Sequence, residues 1–231
     1  MFRRYHGRVI SLREISDAPN CPLVFAALLL LTGCQSAYYT AMEKVGVHKR
    51  DILVDRVEEA RDAQLDAKEQ FRDALERYRS VVQVNGGELE ARYDALNSEY
   101  LASEESAKAV RQRIKAVEDV AEALFEEWEA ELQQYSNASL RSASARELAR
   151  TRQDYRTLIQ RMQAAERRIE PVLSVLRDQV LFLKHNLNAR AIGALKGEYR
   201  TLQGNVDQLL RDMQRAIDES DAFVRRLQSG N

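Results

Sequence analysis

The chain has few of the residues that build covalent or metal-bound sites. Its 231 residues include two cysteines, three histidines, three prolines and one tryptophan. Cys21 lies before a short apolar run and Cys34 lies just after it, so the chain contains no thiol from residue 35 onward. Disulfides, thiolate metal ligands and cysteine nucleophiles are therefore excluded from this long C-terminal part.

Recognisable catalytic and metal-binding motifs are absent as well. The sequence contains no Glu-x-x-His, His-Glu-x-x-His, Cys-x-x-Cys or Gly-x-Ser-x-Gly motif and no glycine-rich phosphate loop. Paired carboxylates such as Glu126 and Glu127 occupy adjacent helix positions, which point in different directions. We therefore expect no metal, no cofactor and no catalysis.

Basic and acidic residues are nearly balanced. The chain has 35 Lys and Arg against 36 Asp and Glu, which gives a net charge of −1 at pH 7. Nucleic-acid binding requires a basic surface that displaces counterions from the phosphates. We expect no nucleic-acid partner.

The longest apolar run, Leu23–Leu31, is too short to cross a bilayer as a helix, which takes about 20 apolar residues. Arginines precede the run, and Leu31, Thr32, Gly33 and Cys34 close it. A basic start, a short apolar run and a small residue at the cleavage point are typical of a secretory signal, and this ending is typical of a bacterial lipobox. We therefore predict a cleaved lipoprotein signal peptide over residues 1–33, with acylation of Cys34.

A lipid on Cys34 anchors the chain in a membrane outside the cytoplasm. In bacterial lipoproteins an Asp at the next position favours the inner membrane, so Gln35 favours the outer membrane, facing the periplasm. Residues 34–50 are then the lipidated N-terminus and a linker. The alternative is a buried core segment followed by a chance cysteine.

From residue 51 onward, apolar residues recur at alternating steps of three and four, as in a helix that faces partner helices. In the first predicted helix this seam comprises Leu53, Val57, Ala60, Gln64, Ala67, Phe71, Ala74, Tyr78 and Val81. The pattern predicts helices over about 52–84, 88–135, 145–185 and 190–228. Short connections make successive helices antiparallel neighbours, so we predict an all-α fold: an elongated antiparallel four-helix bundle, or coiled coil, over residues 51–231.

Local signals mark the helix ends and breaks. Asn85-Gly86-Gly87 predicts the first connection, Ser144 and Glu147 fit a capping box, and Pro171 predicts a bend in the third helix. Three glycines of the fourth helix either allow a close helix approach or loosen its first turns: Gly193, Gly197 and Gly204.

Opposite charges crowd the two sides of the second hairpin. The acidic residues are Glu118, Asp119, Glu122, Glu126, Glu127, Glu129 and Glu131, and the arginines are Arg146, Arg150, Arg152, Arg156 and Arg161. We predict that the two groups pair within the chain. The alternative is that the acidic residues bind a basic protein.

A mixed polar cluster at the start of the first helix is the candidate partner-binding site. It comprises His48, Lys49, Arg50, Asp51, Asp55 and Arg56. The cluster suits a protein partner or lipid head groups. The alternative is a helix N-cap by Asp51 among solvated charges.

The segment MEKVGVHKRDILVDRVEEARDAQ, residues 42–64, precedes a long helical body. It resembles a Gram-negative lipoprotein family known as domain of unknown function 2959, and the most specific part is Met42–Val57. The resemblance implies a helical periplasmic lipoprotein. It assigns no catalytic or binding residue.

Three functions fit these predictions. The first is a membrane-anchored periplasmic lipoprotein with a structural or scaffold role, which binds an unknown envelope protein and is a candidate homo-oligomer. The second is a peripheral helical protein that binds a membrane surface, with basic residues gathered at the anchored end: Arg141, Arg146, Arg150, Arg225 and Arg226. The third is an accessory subunit of an envelope enzyme or transport complex.

Overall fold

The computed structural model of the chain describes residues 48–83, 89–186 and 189–229. Within these ranges the chain forms five α-helices and no strand. They are α1 (Lys49–Gln83), α2 (Leu89–Leu132), α3 (Ala138–Glu166), α4 (Ile169–His185) and α5 (Ala189–Ser229). The predicted all-α fold class is confirmed. All five helices lie within one compact unit, Val47–Asn231.

Contacts between the helices define a four-rod bundle. α1 packs against α2 and α5, and α3 and α4 both pack against α2 and α5. The third rod therefore consists of two helices in succession, which together replace the single predicted helix over 145–185. The rods follow one another around the bundle in chain order.

Side-chain contacts fix the direction of successive rods. Lys49 Nζ lies 2.9 Å from Glu127 Oε1, and Gln70 Nε2 donates to Glu99 Oε2 at 2.9 Å. Residue numbers therefore rise along α1 as they fall along α2, so the two helices are antiparallel. The other pairs of neighbouring rods show the same relation. The contacts are Gln163–Glu118 with Arg111–Glu170, Arg61–Asp221 with Lys68–Gln214, and Arg226–Asp154 with Arg168–Asp212.

The predicted seam forms the core. Every seam residue of α1 is buried, and the largest fully buried side chains are Tyr78, Phe71 and Phe223. Full burial of a large apolar side chain contributes about 1.5–3 kcal/mol. Because the chain from residue 35 onward lacks cysteine, apolar packing supplies the stabilisation that a disulfide provides in other small bundles.

The start of the third rod differs from the prediction. α3 begins at residue 138, and Asn137 is its N-cap: its side chain accepts from the backbone N–H groups of Ser139 at 2.9 Å and Leu140 at 3.2 Å. The predicted capping box at Ser144 is therefore wrong. The Ser144 hydroxyl accepts a hydrogen bond from Trp128 Nε1 at 2.8 Å instead, so it joins α3 to α2.

Pro171 breaks the third rod where a bend was predicted. The backbone N–H of Arg167 donates to Gln163 O at 3.0 Å, and that of Arg168 donates to Ala165 O at 3.0 Å, which closes α3 with a tighter turn. Pro171 then falls in the first turn of α4, where its missing N–H removes no bond within the helix.

Other ends shift by smaller amounts. α2 ends at residue 132, before the predicted 135. Tyr135 lies seven residues after Trp128, at helical spacing, but it falls outside the helix and is exposed. The predicted turn at Asn85-Gly86-Gly87 lies outside the described residues, and so do residues 187 and 188 of the predicted connection into α5.

The glycines of α5 do not make close contacts. Apart from the adjoining backbone of the same helix, no described atom lies within 4 Å of the point where a Cβ would stand at Gly193, Gly197 or Gly204. The hypothesis of close helix approach is therefore wrong. Each glycine loses more backbone entropy on folding than an alanine would, and no close contact requires a glycine there.

Substitution of these glycines is expected to stabilise the bundle. Gly197→Ala and Gly204→Ala each raise the free energy of unfolding by about 0.5–1 kcal/mol, because alanine restricts the unfolded chain and fits the open space. Urea unfolding followed by circular dichroism measures the change. A decrease in stability at either position would mean that a neighbouring group occupies the open space.

Candidate functional site

The polar cluster of the predicted partner site lies at the first turn of α1. His48 O accepts the backbone N–H groups of Asp51 at 2.9 Å and Ile52 at 3.1 Å, so His48 precedes the helix and the interpretation of Asp51 as N-cap is wrong. Asp51 lies inside the first turn. Its negative charge there is favourable because free N–H groups point toward it.

The cations of this cluster bind residues of the bundle itself. Lys49 forms an ion pair with Glu127 of α2, and Arg50 donates to the backbone carbonyl of Leu227 of α5. Arg56 Nη1 donates to both carboxylate oxygens of Glu59, at 2.8 and 2.7 Å. The contacts of Lys49 and Arg50 hold the start of α1 against the ends of α2 and α5, whereas the Arg56–Glu59 pair lies within α1.

The remaining members of the cluster are on the surface. His48, Asp51 and Asp55 are exposed. The structure therefore brings the six predicted residues together along two turns of α1, yet the three cations have a structural role, and a partner would meet mainly the exposed histidine and carboxylates.

The charge match across the second hairpin is confirmed only in part. Arg152 pairs with Glu129 and so holds the pKa of that carboxyl below its usual range. Its guanidinium also lies 5.2 Å from the centre of the Phe125 ring, a favourable cation–π contact. Three of the other predicted arginines bind within α3, in the contacts Arg146–Ser142, Arg150–Glu147 and Arg156–Gln153.

Five tyrosines at the three-and-four spacing lie at the core or its rim: Tyr78 is buried, and Tyr93, Tyr100, Tyr155 and Tyr199 are half-buried. They do not form a single aromatic groove. Tyr78 is fully buried and its hydroxyl donates to Leu195 O at 2.9 Å, and burial raises its pKa above the usual value. Burial also raises the pKa of Tyr100 and of Tyr155 to about 12. The folded state disfavours all three phenolates, so stability is lost as pH rises above about 10, the usual tyrosine pKa.

The described surface offers an open groove between α1 and α2 that the sequence did not reveal. The groove has a volume of about 450 Å³, and its acidic wall includes Asp62, Asp66 and Glu105. Small residues, Ala63 and Ala109, line it as well. Among the residues that the structure describes, no group of three or more His, Cys, Asp or Glu is placed to hold a metal ion.

The predicted lipidation site is not among the residues that the structure describes. Leu31, Thr32, Gly33 and Cys34 lie outside the described residues. Across the residues with assigned structure, none of the helices has the length and apolarity to span a membrane.

The fold and the described surface define an all-helical bundle protein. The chain belongs to the family DUF2959, described as a protein of unknown function, and the match covers residues 38–227. This confirms the family match that the segment Met42–Val57 indicates, while the lipoprotein nature implied by the resemblance stays a prediction. No curated protein and no solved structure matches the chain.

Proposed function

We propose that the chain is a membrane-anchored periplasmic lipoprotein with a structural or protein-interaction role and no catalysis. The observation that carries this proposal is the lipobox Leu31-Thr32-Gly33-Cys34 at the end of a short apolar run. The anchor puts the bundle at the periplasmic face of a membrane, with the outer membrane favoured by Gln35. Neither the anchor nor the bundle needs a cofactor.

The architecture of the bundle supports a scaffold. α2 has 44 residues and therefore spans about 66 Å, and its buried side is filled by side chains of the other rods. Such a bundle presents long outer faces to partners. We assign the partner contact to the outer face of α1 and α2.

Charge and an exposed apolar residue favour this face. Its groove is lined by Asp62, Asp66 and Glu105, together with Arg113. Leu101, one turn before Glu105 on α2, is 53% exposed. A single exposed leucine is common, but one that lies a turn from Glu105 at an acidic groove suits a basic, partly apolar segment of an envelope protein. A second copy of the chain is the alternative occupant.

The anchor is tested by the chemistry of Cys34. Cys34→Ser is expected to abolish incorporation of labelled palmitate and to leave residues 1–33 attached, because the thiol that accepts the lipid is missing. Cys21→Ser is the matched control and changes neither result, since Cys21 leaves with the signal peptide. Mass spectrometry of the wild-type chain that finds an unmodified Cys34 would contradict the anchor.

The partner face is tested by photo-crosslinking in intact cells. A photoreactive amino acid at Asp66, which lines the groove, or at Leu101 is expected to give a discrete crosslinked species, identified by mass spectrometry. Leu181 of α4 is the matched control, because it is 50% exposed but lies on a different rod. Equal crosslinking at all three positions, or none at any, would argue against the α1–α2 face as the partner site.

A further inference from the structure

The connection between α2 and α3 projects from one end of the bundle. We call residues 133–146, the loop with the first turns of α3, the α2–α3 tip. Every residue of the tip except Ser144 is exposed. The first buried residue of α3 is Leu148, so roughly the first ten residues of this helix do not pack into the core of the bundle.

The neighbouring helices end before the tip. Glu147 and Thr151 of α3 line one cleft together with Leu227 and Ser229, the last turn of α5, so α5 ends at the level of these residues. Arg50, in the first turn of α1, donates to Leu227 O, so α1 begins at this level too. The tip therefore lies beyond the described ends of both helices.

The tip combines apolar and basic residues. Leu140 is 57% exposed and Tyr135 is 38% exposed. Leu140 lies eleven residues, about three turns, before Thr151, so it continues the apolar face of α3 past the point where partner helices stop. Arg141 and Arg146 are exposed, and residues 132–146 contain no Asp or Glu.

We propose that the α2–α3 tip contacts the anionic headgroup layer of the membrane that holds Cys34. This inference rests on the proposed lipid anchor. The chain from Cys34 enters the bundle at the start of α1, which lies at the same end as the tip. The connecting segment, residues 35–47, keeps this end within about 50 Å of the anchor even when fully extended.

The composition of the tip suits the membrane interface. Tyrosine favours the headgroup level, where its ring is apolar and its hydroxyl is hydrated, and Leu140 is free to enter the acyl boundary. Arg141 and Arg146 attract anionic lipids. Such contacts are weak alone, and stable attachment generally takes a lipid chain plus a second signal of this kind. The tip is that second signal, and it orients the bundle on the membrane.

An environment-sensitive fluorophore tests the contact in the lipidated mature protein. Leu140→Cys carries the fluorophore on the tip, and Ser80→Cys carries it near the other end of α1. After reconstitution into vesicles of phosphatidylcholine with phosphatidylglycerol, emission at position 140 is expected to rise severalfold and shift to shorter wavelength. Emission at position 80 stays as in solution. A water-like signal at position 140 in the anchored protein would overturn the inference.

Charge variants test the lipid chemistry separately from the anchor. The acyl-free mature chain (residues 34–231 with Cys34→Ser) is used in co-sedimentation with the same vesicles. Arg141→Gln and Arg146→Gln are each expected to weaken binding about fivefold, since one basic residue at an anionic surface contributes about 1 kcal/mol. Arg200→Gln, an exposed arginine near the start of α5, is the matched control and leaves binding unchanged. Equal binding by all three variants and the parent would contradict the proposal.

The two proposals fail in different ways. If Cys34 is acylated and position 140 stays in water, the anchor stands and the tip contact falls. If Cys34 is unmodified and the acyl-free chain still binds vesicles through Arg141 and Arg146, the affinity of the tip for anionic lipid stands and the lipoprotein assignment falls.

Discussion

Replacing Tyr78 with alanine is expected to lower the free energy of unfolding by about 3–5 kcal/mol, the range for large aromatic residues in cores. Tyr78 is fully buried near the end of α1. Its ring stacks on that of Tyr199, with centres 6.2 Å apart and planes inclined by 18°, and its hydroxyl donates to Leu195 O at 2.9 Å. The substitution removes the ring, the stacking and the hydrogen bond that join α1 to α5.

Urea unfolding of the acyl-free mature chain measures this loss, and Tyr78→Phe is the matched control. The phenylalanine keeps the ring and loses only the hydrogen bond to Leu195 O, so the expected loss is about 1 kcal/mol. Two results would count against the assignment. One is a loss below about 1 kcal/mol for Tyr78→Ala, and the other is an equal loss for both variants.

The core of the bundle was predictable because burial follows helical spacing. Tyr78 and Gln64 both fall on the three-and-four seam, and both are fully buried. A residue's place in the seam depends only on the 100° turn per residue, which the sequence carries directly. For that reason the fold class and the buried face of each rod agree with the pattern.

Helix ends were less predictable because they depend on competing local bonds and on tertiary contacts. Asn137 and Ser144 both carry side chains that suit an N-cap. The structure uses Asn137, and Ser144 binds Trp128 of the neighbouring helix. The Ser144–Trp128 contact forms only when α2 and α3 pack together. The local sequence therefore does not decide whether α3 begins after Asn137 or after Ser144.

Surface contacts followed the sequence only in part. Several arginines lie near the start of the third rod, but a helix distributes consecutive residues around its axis. Arg152 therefore reaches Glu129 of α2, whereas Arg150 pairs with Glu147 of its own helix. The groove between α1 and α2 and the α2–α3 tip depend on which residues face outward after packing. Ala63 and Ala109, two small residues that line the groove, are a local signal for it in the sequence.

Gln64 is a polar residue in the centre of the apolar seam. It is fully buried, and among the described residues neither its Nε2 nor its Oε1 has a hydrogen-bond partner. Arg61 contacts Asp221 and Lys68 contacts Gln214, so Gln64 lies opposite the middle of this stretch of α5. An unsatisfied buried polar group costs about 1–3 kcal/mol in folding.

Gln64→Met is therefore expected to raise the free energy of unfolding by about 1–3 kcal/mol. Methionine has nearly the length and shape of glutamine, adapts to irregular gaps and brings no group that needs a hydrogen bond. For a chain of this size the melting temperature rises by about 2–4 °C per kcal/mol. Thermal and urea unfolding of the acyl-free mature chain measure the gain.

Gln70→Met is the matched control, because Gln70 lies on the same helix, is half-buried and donates to Glu99 Oε2 at 2.9 Å. That variant is expected to lose stability or stay unchanged, since it leaves the Glu99 carboxylate without this donor. Gln64→Glu is expected to destabilise strongly, because it places a charge in the core. A less stable Gln64→Met variant would show that the Gln64 amide forms hydrogen bonds in the folded protein. Those bonds would then stabilise the fold by more than burial of the amide costs. In that case Gln64 would stabilise the register of the four rods, as single buried amides do in coiled coils, and the seam would depend on it.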